Sequence, residues 1–163
     1  MAISKDDYKK VIDDIDVEST SKYQPSGGKT YCNIFAQDVA EEYGTPLPSG
    51  TCATMLEALK GNKISYWYSV NYADAQSRTN KGYTTIGITS DHVVIIYPHG
   101  NTASSVLDLY MFMAGYKCFN DPKITYAWEK SALSNVRFYS WYEKEFMILL
   151  YYYFSGCPVQ YLT

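Results

Sequence analysis

Two cysteines and two histidines supply the nucleophile and base chemistry that this chain offers. Cys32 stands in YCNIFAQDVAEEYG and Cys52 in SGTCATMLEAL, each where a helix is expected to start. Unpaired N–H groups and the helix dipole in a first turn favour a thiolate, and a thiolate beside an imidazole attacks carbonyl carbon. The same positions also have a purely structural description. Cys32, Phe35, Ala36, Val39, Ala40 and Tyr43 recur at helical spacing, so the thiol shares an inward stripe, and free cysteine is among the most buried residue types. Thr30 and Thr51 are the expected N-caps of the two helices, so terminus physics alone leaves Cys32 and Cys52 equivalent. Cys118 and Cys157 sit in loop-like contexts. His92 opens the run HVVIIYP, which sets an imidazole at a sheet end facing a helix start, whereas His99 in YPHGN falls in the following turn. A lone histidine at a strand start is more often structural than catalytic.

The elements that must position these groups are readable from periodicity. Ile3, Tyr8, Val11, Ile12 and Ile15 predict an N-terminal helix that ends before Ser19. STSKYQPSGGKT is a loop by composition, and helices follow over 31–43, 53–59 and 72–80, stopped in turn by Gly44, Gly61 and Gly82. The period then changes. TTIGI and HVVIIYP predict two strands joined tightly through Thr89, Ser90 and Asp91, the second apolar on both faces and therefore central. SSVLDLYMF and VRFYSWY predict further strands, with a loop or short helix over 120–128 between them. Helices first and strands later give an α+β class: N-terminal helices, with the cysteine-bearing helix packed on a mainly antiparallel sheet that carries the histidine.

At 163 residues the expectation is one domain, 1–163, able to bury a core without disulfides or metal. A net charge of -3 offers no basic field for nucleic acid or anionic membrane. The four cysteines are too widely spaced for a zinc pattern, and free thiols are expected, with no metal or cofactor. MAISKDDYKKVIDDID has no apolar core of a signal peptide, so synthesis in a cytoplasm is expected. Eighteen Tyr and three Trp suit a groove for a peptide or sugar chain, although a tyrosine-rich sheet accounts for them slightly better. The run from Phe146 to Phe154 is too short to span a bilayer and predicts a strand in the extension 142–163, added to the sheet or used in a homodimer contact.

The segments KYQPSGGKTYCNIFAQDV, ADAQSRTNKGYTTIGI, SDHVVIIYP, MAGYKCFN and VRFYSW together resemble the cysteine amidase and peptidase domains of phage endolysins and bacterial cell-wall hydrolases, the NlpC/P60 and CHAP group, which is papain-like. The resemblance covers residues 14–141. It implies Cys32 rather than Cys52 as nucleophile, His92 rather than His99 as base, and cleavage of an amide bond in peptidoglycan without metal. It also implies a third residue that orients the imidazole; Asp108 is the first choice and Asn101 the second. Tyr23 and Asn33 are the implied oxyanion-site residues. Tyr66, Trp67 and Tyr68 lie between the two motifs and either line the groove, Trp67 first, or pack in the core. The group usually carries glycine before the histidine, where this chain has Asp91, a carboxylate that either acts on the imidazole or caps the turn. A protein of this kind reaches the wall after lysis or by dedicated secretion. Two other functions fit the same residues: a cell-wall or carbohydrate binding module that kept the fold without the chemistry, and an acyltransferase using the Cys-His pair.

Overall fold

The computed structural model describes residues 4–61 and 65–142. The fold is α+β. Among the described residues four α-helices, α1 (Lys5–Ile15), α2 (Cys32–Glu42), α3 (Cys52–Lys60) and α4 (Tyr72–Thr79), accompany six strands, β1 (Trp67–Val70), β2 (Thr85–Ile88), β3 (Val93–Ile96), β4 (Met111–Ala114), β5 (Cys118–Phe119) and β6 (Arg137–Trp141). The strands form one sheet in the order β1-β6-β2-β3-β4-β5, and every pairing is antiparallel.

Alternation along the central strands divides the core into two layers. Val93 and Ile95 of β3 join Ile86 and Ile88 of β2 under α1, α2 and α3, where Tyr8, Ile12, Phe35, Val39, Met55 and Leu59 complete the packing. Val94 and Ile96 face the opposite layer with Ala75 of α4, Leu109, Met111, Leu133 and Phe138. All four residues of β3 are buried, as a strand covered on both faces requires, and its apolar run is the sequence trace of that position. The cysteine-bearing helix α2 packs on β3 and β4, with its stripe Cys32, Phe35, Ala36, Val39 and Ala40 turned inward.

The structure departs from the sequence expectations in three places. Trp67 starts a strand that the YWY run did not announce, because its pairing with β6 is a long-range contact with Trp141 opposite. The expected strand over SSVLDLYMF begins only at Met111; Val106–Asp108 is a 3-10 turn fixed by a Ser105–Asp108 capping box. Cys118 lies in the short strand β5 rather than in a loop. The expected strand over 146–154, its dimer contact and Cys157 lie outside the described residues. Among the described residues no helix is long and apolar enough to cross a membrane.

Candidate active site

The two cysteine-bearing helices start side by side. Each has its cysteine as first helical residue, and the Cys32 and Cys52 sulfurs are 3.6 Å apart and buried. The intervening loop is stapled to α2 by two amides: Asn33 Nδ2 donates to the Gly50 carbonyl at 2.8 Å and Gln37 Nε2 to the Pro48 carbonyl at 2.8 Å. Gly50 adopts φ +114°, open to glycine, and a Cβ there would come within 2.5 Å of Thr54 Oγ1. These contacts bring Thr51, and with it Cys52, back against the start of α2.

The helix starts nevertheless differ. Thr51 caps α3, its hydroxyl accepting from the Thr54 N–H at 3.3 Å. The N-cap of α2 is Tyr31, not Thr30 as the sequence suggested, and no side chain caps that turn. The first-turn N–H groups of α2 are therefore the ones left to meet an anion beside the sulfur.

His92 completes the arrangement from the other layer. It lies one residue before β3, its carbonyl held by the Thr89 N–H at 2.8 Å. Its ring meets Trp128 edge-to-face at 5.3 Å, and Trp128 is fixed by donating from Nε1 to Thr89 Oγ1 at 3.2 Å. Asp91 takes the turn-capping role, accepting from Thr89 Oγ1 at 2.7 Å. The Cys32 thiol is held well below its ordinary range, first by the hydrogen bond from Cys52, then by the hydrogen bond and charge of His92 and by the Val93 N–H, all against the opposing effect of burial. The Cys52 thiol is pushed up, chiefly by Cys32 and further by burial. Of the two, Cys32 is the thiol whose thiolate the surroundings favour, and Cys52 is the one they favour as the protonated donor.

His92 lines a cleft of about 400 Å³ whose wall also includes Thr30, two residues before Cys32, Lys117 and four aromatic residues, Tyr116, Phe119, Tyr126 and Trp128. Tyr116 is 81% exposed, and Tyr126, edge-to-face with Phe119 at 5.2 Å, is still 62% exposed. Gly115 shapes the floor: a Cβ there would stand 2.7 Å from Met113 Cε and 3.6 Å from His92 Cε1.

The remaining sequence candidates do not converge on this cleft. The Asp108 carboxylate accepts from the Ser104 N–H, the Ser104 hydroxyl and the Ser105 N–H, at 3.0, 2.9 and 2.9 Å, so it stabilises its own turn. Asn101 pairs through Nδ2 with Nδ1 of His99 at 3.1 Å, and the His99 ring stacks on Tyr110 at 3.9 Å. Neither is a partner of His92, whose Nε2 is buried with no hydrogen-bond partner among the described residues. The Tyr23 hydroxyl donates to Asp38 at 2.8 Å, six positions further along α2, about 9 Å of helix rise from Cys32, and so does not reach an oxyanion there. Asn33 acts on the Gly50 loop. Trp67 is 1% exposed and donates to the Pro46 carbonyl at 3.0 Å, a core residue rather than a groove residue. The cleft aromatics Tyr116, Tyr126 and Trp128 went unread because they are scattered among short turns without periodicity. Among the described residues no group of three or more His, Cys, Asp or Glu is placed to hold a metal ion. No family model and no curated protein matches the chain.

Proposed function

We propose that the protein is a cysteine amidohydrolase of the papain-like, NlpC/P60 and CHAP kind that cleaves an amide bond of bacterial peptidoglycan. The observation that carries the chemistry is the meeting of a depressed Cys32 thiol, an uncapped helix start and His92 at the edge of an open, aromatic-lined cleft. The substrate class rests on the resemblance of the segments around Cys32, His92 and Gly115 to cell-wall hydrolases, and the exposed rings suit a sugar-peptide chain.

In the reaction the Cys32 thiolate attacks the amide carbonyl, and the carbon–sulfur bond forms as the carbonyl π pair moves to oxygen. The first-turn N–H groups of α2, including that of Cys32, stabilise the oxyanion. The imidazolium of His92 protonates the leaving nitrogen as the carbon–nitrogen bond breaks. Neutral His92 then takes a proton from water, whose hydroxide displaces the thiolate from the thioester and releases the acid. Trp128 orients the ring by packing where related cysteine hydrolases use a polar third residue, and it keeps solvent from that side of the imidazole.

The test is turbidity loss of purified cell walls. Cys32→Ala is expected to abolish it while changing thermal stability little; activity that survives in Cys32→Ala and disappears in Cys52→Ala would reverse the roles of the two cysteines.

A further inference from the structure

The hydrolytic reading uses Cys52 only as a hydrogen-bond donor, yet its placement allows more. A disulfide needs a sulfur–sulfur distance of about 2.05 Å, so the pair at 3.6 Å must close by about 1.5 Å. Both residues belong to first helical turns, where one side of each residue carries no intrahelical bond. The approach is enforced by the Asn33 and Gln37 staples rather than by chance packing. The third described cysteine, Cys118, is engaged elsewhere, donating to the Tyr23 carbonyl at 3.4 Å.

We propose that Cys32 and Cys52 form a peroxide-sensitive redox pair, in which oxidation of Cys32 is resolved by Cys52 to an intramolecular disulfide that switches the nucleophile off. The proposal rests on the 3.6 Å contact of the two sulfurs, with Cys32 as the thiol that reacts first, and not on amide hydrolysis.

In the first step the Cys32 thiolate attacks one oxygen of hydrogen peroxide; the O–O bond breaks, an S–O bond forms, and hydroxide leaves to be protonated to water. In the second step the Cys52 sulfur attacks the Cys32 sulfur, the S–O bond breaks, and the hydroxyl leaves with the Cys52 proton as water. Two thiols lose two electrons and two protons to one peroxide, which becomes two waters. The order is built into the electrostatics. Cys52 is kept protonated first by the Cys32 thiolate, so conversion of Cys32 to a neutral sulfenic acid removes that restraint and releases Cys52 as the resolving thiol. Without a neighbour the sulfenic acid would proceed to the irreversible sulfinic acid; with Cys52 in contact it is diverted to a form that a dithiol reductant restores.

The experiment treats the reduced, full-length protein with hydrogen peroxide, blocks free thiols, digests without reduction and maps peptides by mass spectrometry. The expected result is a peptide joining Cys32 to Cys52, lost on dithiothreitol treatment, with little dimedone trapping of Cys32. In Cys52→Ala the dimedone adduct on Cys32 is expected to rise at least tenfold and sulfinic acid to accumulate, while Cys118→Ala retains the crosslink. The proposal is overturned if wild-type Cys32 proceeds to sulfinic acid without the crosslink, if it joins Cys118 or Cys157 instead, or if dimedone labels wild type and Cys52→Ala equally. The peptide map reads out independently of hydrolysis: a crosslink in a protein that cleaves no wall fragment would remove only the hydrolase reading, and cleavage without a crosslink only this one.

Discussion

Cys52→Ala removes a single buried thiol, and with it the group that contributes most to holding the Cys32 thiolate. A hydrogen bond to a charged acceptor contributes about 1.5–3 kcal/mol, and 1.36 kcal/mol corresponds to one pH unit in a titration midpoint. Losing the Cys52 donor at 3.6 Å should therefore raise the Cys32 midpoint by about one to two pH units. His92 and the Val93 N–H remain and keep it below the value of a free thiol. The sign follows from which form the donor favours. Cys52 stabilises the thiolate, so wild type retains a reactive Cys32 at a lower pH than the variant, and the two converge once pH exceeds both midpoints. The packing cost is that of one small buried group, about 1 kcal/mol. The assay is the rate of iodoacetamide addition to Cys32 against pH, read on the Cys32 peptide, with Cys118, whose thiol burial pushes up, in the same digest as an unactivated reference. An unmoved or lowered midpoint in Cys52→Ala would refute the assignment of a donor role to Cys52.

Other perturbations separate site from scaffold. His92→Ala should also raise the Cys32 alkylation midpoint and should cut wall-lytic activity by at least a hundredfold with circular dichroism unchanged; retained activity would remove the histidine from the mechanism. Trp128→Phe keeps a ring beside His92 but loses the 3.2 Å bond to Thr89, costing about 1 kcal/mol and lowering kcat more than it changes KM; an effect on KM alone would make Trp128 a binding residue only. Asp108→Ala should lower Tm by about 2–4 °C through loss of its cap and leave kcat within about twofold, whereas a collapse of kcat would restore it as the third catalytic residue. Tyr116→Ser combined with Tyr126→Ser should raise KM for wall fragments about tenfold with the iodoacetamide profile of Cys32 unchanged; an unchanged KM would place the substrate elsewhere.

The parts of the fold that were legible are those written in local periodicity. The stripe beginning at Cys32, the turn 89–92 and the fully apolar β3 all follow from spacing within ten or so residues, and together they bring the histidine strand under the cysteine helix. What escaped depended on distant pairing. Trp67 reads equally as a groove or a packing residue until its pairing with β6 decides for the core, and Asp108 reads as a strand carboxylate until Ser105 turns the chain. Tyr23 stands near Cys32 in sequence, but its hydroxyl is claimed by Asp38 on another turn of α2. The rivalry between Cys32 and Cys52 had the same origin. Terminus physics treated them as alternatives, whereas Asn33 and Gln37 fold the loop so that both sulfurs enter one site. The features that distinguish them, the missing cap on α2 and the approach of His92, are tertiary.

The central claim is that the Cys32 thiolate cleaves an amide bond of peptidoglycan, and product analysis on defined muropeptides by mass spectrometry tests it most directly. Wild-type protein should split one amide with the gain of one water, and Cys32→Ala should leave every muropeptide intact while melting with the wild-type protein. Intact muropeptides with wild-type protein whose Cys32 alkylates rapidly at low pH would contradict the claim, as would the same cleavage products from Cys32→Ala.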